Sequence, residues 1–124
     1  MMGYRGAYAV IVLALVVTLD VFSGRPNPEW ALTPAEGVEF ERRLAVLPPL
    51  SVAPADQAQP LGYRGFDVRG CPTPVRVFRG LVVNGGQTFA DPGRRLERWL
   101  LDSGRGSLDP SLAAYVDSEI SSGP

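Results

Sequence analysis

Leu13 to Trp30 reads LALVVTLDVFSGRPNPEW, the most apolar stretch of the chain running straight into its densest cluster of turn residues. From Leu15 the pattern alternates. Leu15, Val17, Leu19 and Val21 fall on one side, and Val16, Thr18, Asp20 and Phe22 on the other. A period of two among Val and Leu side chains predicts a strand with one buried face. The apolar run reaches back to Ala7 (AYAVIVLALVV) behind Arg5, and this wider run carries three readings. A secretory signal suits its charge and length, but TLDVFSG offers no small-x-small cleavage site. A membrane span at residues 7–19 needs about 20 apolar residues and meets Asp20 too soon. An intact strand keeps the alternation whole and is the favoured reading, with residues 1–12 as an apolar arm or strand extension.

Working outward, the strand ends at Ser23-Gly24, because Pro26 and Pro28 remove donors and push the residues before them out of the α region. Asn27 is placed to close an Asx-type turn on its own backbone. Trp30 is expected to re-enter an apolar environment over the end of the sheet. Two roles compete for the loop. Either Ser23, Gly24, Arg25 and Asn27 form a recognition loop at a strand end, or the segment is a rigid strand-to-helix connector with Arg25 paired to Asp20 or Glu29. Pro-rich loops favour the connector.

DVFSGRPNPEW resembles a segment carried by small proteins of GC-rich bacteria, and LGYRGF and DPGRRLERWL resemble downstream segments of the same proteins. No activity, cofactor or site is assigned to that group. The resemblance therefore implies one domain from about Leu15 onward and nothing about mechanism.

Composition narrows the chemistry. The 124 residues suffice for one core, and 45% hydrophobic with 20% charged residues is a globular balance. A net charge of -1 gives no reason to expect nucleic acid as a partner. All 12 basic residues are Arg; Lys and His are absent. That excludes Ser-His-Asp and Cys-His catalysis, imidazole metal sites and Schiff-base chemistry within the chain. The single thiol, Cys71 in RGCPTP, lacks ligand spacing and reads as a surface or half-buried structural thiol. No cofactor and no metal site are expected.

Downstream, Thr33-Pro34-Ala35-Glu36 is a capping box with Pro at the first helical position. It opens a helix to about Leu47, with Gly37, Phe40, Leu44 and Leu47 on one face. Residues 48–60 (PPLSVAPADQAQP) read as a Pro/Ala-rich loop. LGYRGFDVRG reads as a strand with Tyr63, Gly65 and Asp67 opposite Arg64, Phe66 and Val68. PVRVFRGLVV is a further strand, or two segments with Gly80 as a bulge, and Asn84-Gly85-Gly86 turns the chain into QTFA. Asp91-Pro92-Gly93 opens a second helix with Leu96, Trp99 and Leu100 inward and Arg94, Arg95 and Arg98 as a solvated basic face. Asp109-Pro110 opens a third, with Leu112, Ala113, Val116 and Ile120 inward.

The expected fold is α+β: a small, mostly antiparallel sheet with about three helices on one face, in the order β-α-β-β-β-α-α. Residues 13–120 form the single domain and 121–124 a tail. The expected function is a non-catalytic binding module presenting SGRPNPEW to a protein, peptide or small anion. Ser23, Gly24, Arg25, Asn27 and Trp30 are its candidate ligand-binding residues, with Asp20 and Asp67 beside them. One alternative is a small carboxylate-dependent hydrolase using Asp20, Asp67 and Glu29. Another is a secreted or membrane-tethered structural protein, the membrane being a partner only if residues 7–19 are an anchor; a cytoplasmic location is favoured. An exposed Trp30 beside Arg25 would favour binding, and a cleft with converging carboxylates the hydrolase.

Overall fold

The structure, a computed structural model, describes residues 14–51 and 61–122. The arm at 1–12, the apolar run before Ala14, residues 52–60 of the Pro/Ala-rich loop and the last two residues of the tail lie outside the described residues.

The alternating stretch forms strand β1 (Val16–Leu19), an interior strand next to one edge of the sheet. Leu15, Val17, Leu19 and Val21 are all buried, as the period-two pattern requires. Six more strands join it: β2 (Glu29–Ala31), β3 (Pro49–Leu50), β4 (Phe66–Arg69), β5 (Val75–Phe78), β6 (Leu81–Asn84) and β7 (Gln87–Ala90). Together they make one sheet of order β2-β1-β4-β5-β6-β7-β3. Every pairing is antiparallel. Leu19, Phe66, Val77 and Val82 lie in one cross-strand row, all with no exposed surface. Along the neighbouring row Thr18, Asp67 and Arg76 carry the polar face.

Three helices complete the α+β fold: α1 (Pro34–Ala45), α2 (Arg95–Gly104) and α3 (Pro110–Ser121). Thr33 and Glu36 exchange both capping-box hydrogen bonds, so α1 starts where the motif places it. It carries the chain from the edge strand β2 to the opposite edge strand β3. Phe40 of α1 stacks on Trp99 of α2, ring centroids 6.3 Å apart, above the buried side of the sheet. Asp109 caps α3 by accepting from the Ser111 N–H at 2.8 Å, and Ala113, Val116 and Ile120 point inward. Among the described residues no helix is long and apolar enough to cross a membrane.

Several local expectations are corrected. SGRPNPEW is a hairpin loop: Pro28 O accepts from Leu19 N at 3.0 Å and Trp30 pairs with Val17 on β2. Residues 48–60 are not all loop, since Pro49–Leu50 adds an edge strand to β7. Gly80 is no bulge. Arg79 and Gly80 have φ of 52° and 79°, so PVRVFRGLVV folds into two strands around a two-residue primed turn. Gly65, at φ 104°, breaks the alternation before β4, and Tyr63 turns into the core beside Phe66. Asp91 does cap α2, but across an inserted turn: Gly93 and Arg94 have φ of 65° and 55°, and the carboxylate accepts from Leu96 N and Glu97 N.

The largest correction concerns the basic face of α2. The reversal at Gly93-Arg94 turns Arg94 inward, where it is 8% exposed and grips Glu97, which has no exposed surface. Arg94 Nε and Nη2 donate to the two Glu97 oxygens at 2.9 and 2.8 Å, and Tyr63 OH donates to Oε2. Burial, followed by the Glu97 charge, pushes the Tyr63 phenol well above its ordinary value. The cluster ties the segment before β4 to α2.

Candidate functional site

The first loop is held more firmly than a connector needs. Asn27 does not close forward on its own backbone. Its Oδ1 reaches back to accept from Val21 N at 2.9 Å and Phe22 N at 2.7 Å. One side-chain amide therefore satisfies two donors left open where β1 ends. Arg64 locks the same corner from β4's side, donating to Asp20 Oδ1 and, at 2.8 Å, to the Phe22 carbonyl.

Asp20 and Asp67 are brought together on the polar face of the sheet, with Arg76 between them. Arg76 Nη1 donates to both Asp67 oxygens at 2.9 and 3.0 Å, and its Nη2 lies 3.3 Å from Asp20 Oδ2. Arg64 pairs with Asp20 at 2.9 Å. Arg76 Nη2 also donates to the Arg64 carbonyl. The carboxylates thus face guanidinium forks and not a cleft, an arrangement that stiffens the sheet. Glu29 is elsewhere, accepting from Thr18 and lying 3.3 Å from Arg69.

Ser23, Gly24, Arg25 and Pro26 project from this locked base and are exposed. Arg25 pairs with neither Asp20 nor Glu29. Its guanidinium lies 3.8 Å over the centroid of the Phe22 ring, a cation–π contact. Trp30 does not accompany it. The indole is 7% exposed, its N–H donates to Ser103 Oγ at 3.0 Å, and its edge meets Phe66 at 6.3 Å.

Beside Arg25 an open groove of about 560 Å³ runs between the loop and the start of α3. Phe22, Arg25, Pro26 and Pro28 make one wall; Leu108, Asp109, Leu112 and Tyr115 make the other. Tyr115 is 40% exposed and its hydroxyl accepts from Tyr63 N, which fixes the ring at the groove. Asp109 stands opposite Arg25 in charge, its carboxyl held below the ordinary value by the Ser111 hydroxyl and then by the Ser111 N–H. The groove thus mixes apolar and polar lining in similar measure, cationic at the loop and anionic at the helix start.

Sequence reasoning does not reach the α3 wall. One signal is present: Tyr115 falls off the apolar stripe of Leu112, Ala113, Val116 and Ile120, so an aromatic ring has to face something other than the core. Comparison of the chain with protein-family models, with curated proteins and with solved structures finds no match, and the functional reading rests on this geometry.

Proposed function

We propose that this protein is a non-catalytic binding module whose ligand occupies the groove between the first loop and α3. The observation that carries the reading is Arg25: an exposed guanidinium lying over the Phe22 ring, with no ion-pair partner among the described residues, on the wall of a groove of mixed apolar and polar lining. Eight of the eleven described arginines pair with acids, whereas Arg25, like Arg79 and Arg95, has no ion pair among the described residues; on a loop pinned by Asn27 and Arg64 it makes a ready donor at little further ordering cost. Concave apolar surface with a few fixed polar groups is the usual form of a ligand site.

The hydrolase reading has less to support it, because Asp20 and Asp67 are both engaged by Arg76. The test is affinity capture with the intact chain and with Arg25→Glu and Tyr115→Lys, both at exposed positions. The variants are expected to keep the wild-type circular dichroism and to lose the captured partner. An unchanged set of partners on folded variants would count decisively against the groove.

A further inference from the structure

Resting on that reading, we infer that the groove takes an extended, apolar segment of a partner protein that seats one acidic side chain on Arg25. The argument begins with the donors. The Arg25 guanidinium carbon lies 3.8 Å from the Phe22 ring centroid, and a guanidinium held there by a ring has N–H donors that match the two oxygens of a carboxylate. The acids nearest Arg25 in sequence are committed elsewhere, Asp20 to Arg64 and Arg76 and Glu29 to Arg69. Asp109 shares the groove but no described acid forms an ion pair with Arg25, which leaves its guanidinium open to a carboxylate from a partner.

The remaining wall says what carries that carboxylate. Phe22, Pro26, Pro28, Leu112 and Tyr115 give a ligand apolar contact along the groove, more than a small anion would use. A chain terminus is the other source of a carboxylate beside apolar groups, and it is normally gripped by a set of backbone N–H donors. The N–H groups opening α3 do not offer that set: Asp109 already takes Ser111 N at 2.8 Å and brings its own negative charge. A side-chain carboxylate fits Arg25 without needing them. Asp109 also gives the groove a direction, since a second acid at the α3 end meets like charge, whereas a neutral or basic residue does not.

The experiment is selection from a displayed random-heptamer library with the intact chain as bait, followed by amide chemical-shift mapping with the enriched peptides as synthetic probes. Enriched sequences are expected to combine one Asp or Glu with Pro, Leu or aromatic neighbours and to shift amides at 22–28 and 107–115. Changing that acid to its amide is expected to weaken binding to the wild-type chain about tenfold, as losing a charged hydrogen bond does, and to change nothing on Arg25→Ala. That cycle separates direct pairing from a structural effect of Arg25. Peptides that map to the groove yet tolerate the amide overturn the inference and leave the groove reading standing. If enriched peptides map elsewhere, or none is enriched, both fall.

Discussion

At the scale of the residue, Glu97 shows how one backbone dihedral rewrites a sequence pattern. Read at helical spacing, GRRLERWL presents Arg94, Arg95 and Arg98 on a wet face with Glu97 between them. The left-handed Arg94, at φ 55°, takes that residue out of the helical register and into the core. No periodicity reports such a reversal, although Asp-Pro-Gly just before it marks where one can occur. The resulting ion pair is bidentate and fully interior, so its halves are not separable. Glu97→Gln leaves a buried guanidinium half-paired and is expected to cost about 3–5 kcal/mol, read by urea denaturation. Replacing both partners, as Arg94→Met with Glu97→Met, is expected to recover most of that loss. A double variant as unstable as the single one would show that the position needs its hydrogen bonds and not charge neutrality.

Among the elements, legibility follows length and capping chemistry. Strand β1 and the starts of α1 and α3 are readable, because alternation over Leu15–Val21 and the Thr33 and Asp109 caps each have one physical solution, whereas Asp91 caps α2 only across the Gly93-Arg94 reversal. Strands β2 and β3, of three and two residues, are too short for a period to show and exist because a neighbour offers an open edge. The turn at Arg79-Gly80 escapes a sequence reading because Arg is an uncommon choice for positive φ. Gly80 is the residue that makes it possible. A Cβ there meets nothing nearer than 3.8 Å, so Gly80→Ala isolates the backbone term and is expected to cost about 1–2 kcal/mol. Gly86, in the next turn, lies outside the left-handed region with open space around it, and Gly86→Ala is expected to stay within about 0.5 kcal/mol. Thermal melts of the two single variants check the contrast; equal losses would mean that the primed turn is not what forces the hairpin.

Over the whole molecule, the groove exists only because α3 closes back on the loop about 80 residues upstream, a juxtaposition no local pattern encodes. What holds α3 in place is therefore what holds the site. Val116 and Ile120 supply the apolar contact, and Asp117 adds a charged stitch, pairing with Arg105 at 3.1 Å and with Arg98 of α2. The Arg98 hydrogen bond, then the Arg105 one, holds the Asp117 carboxyl below its ordinary value of 3.8; Asp109 and Glu39 are also held low, Glu39 at about 2. A carboxyl with a depressed folded pKa binds protons more readily when unfolded, so its contribution is complete above about pH 5 and is lost as pH falls through 3.8 toward the folded value. Asp91 acts in the opposite sense, because burial raises its pKa and protonation there favours the folded form. The Asp117 pairs are largely solvated, so the effect is modest and screened by salt. Stability from urea midpoints is thus expected to decline between pH 5 and pH 3, and Asp117→Asn to flatten part of that decline while lowering stability at pH 7. Amide exchange along α3, taken relative to the intrinsic rate at each pH, should quicken over the same interval in the wild type, ahead of exchange in β4 and β5. If exchange in α3 and in the central strands rises together, the helix is not a separable wall. Acid would then empty the groove only by unfolding the entire domain.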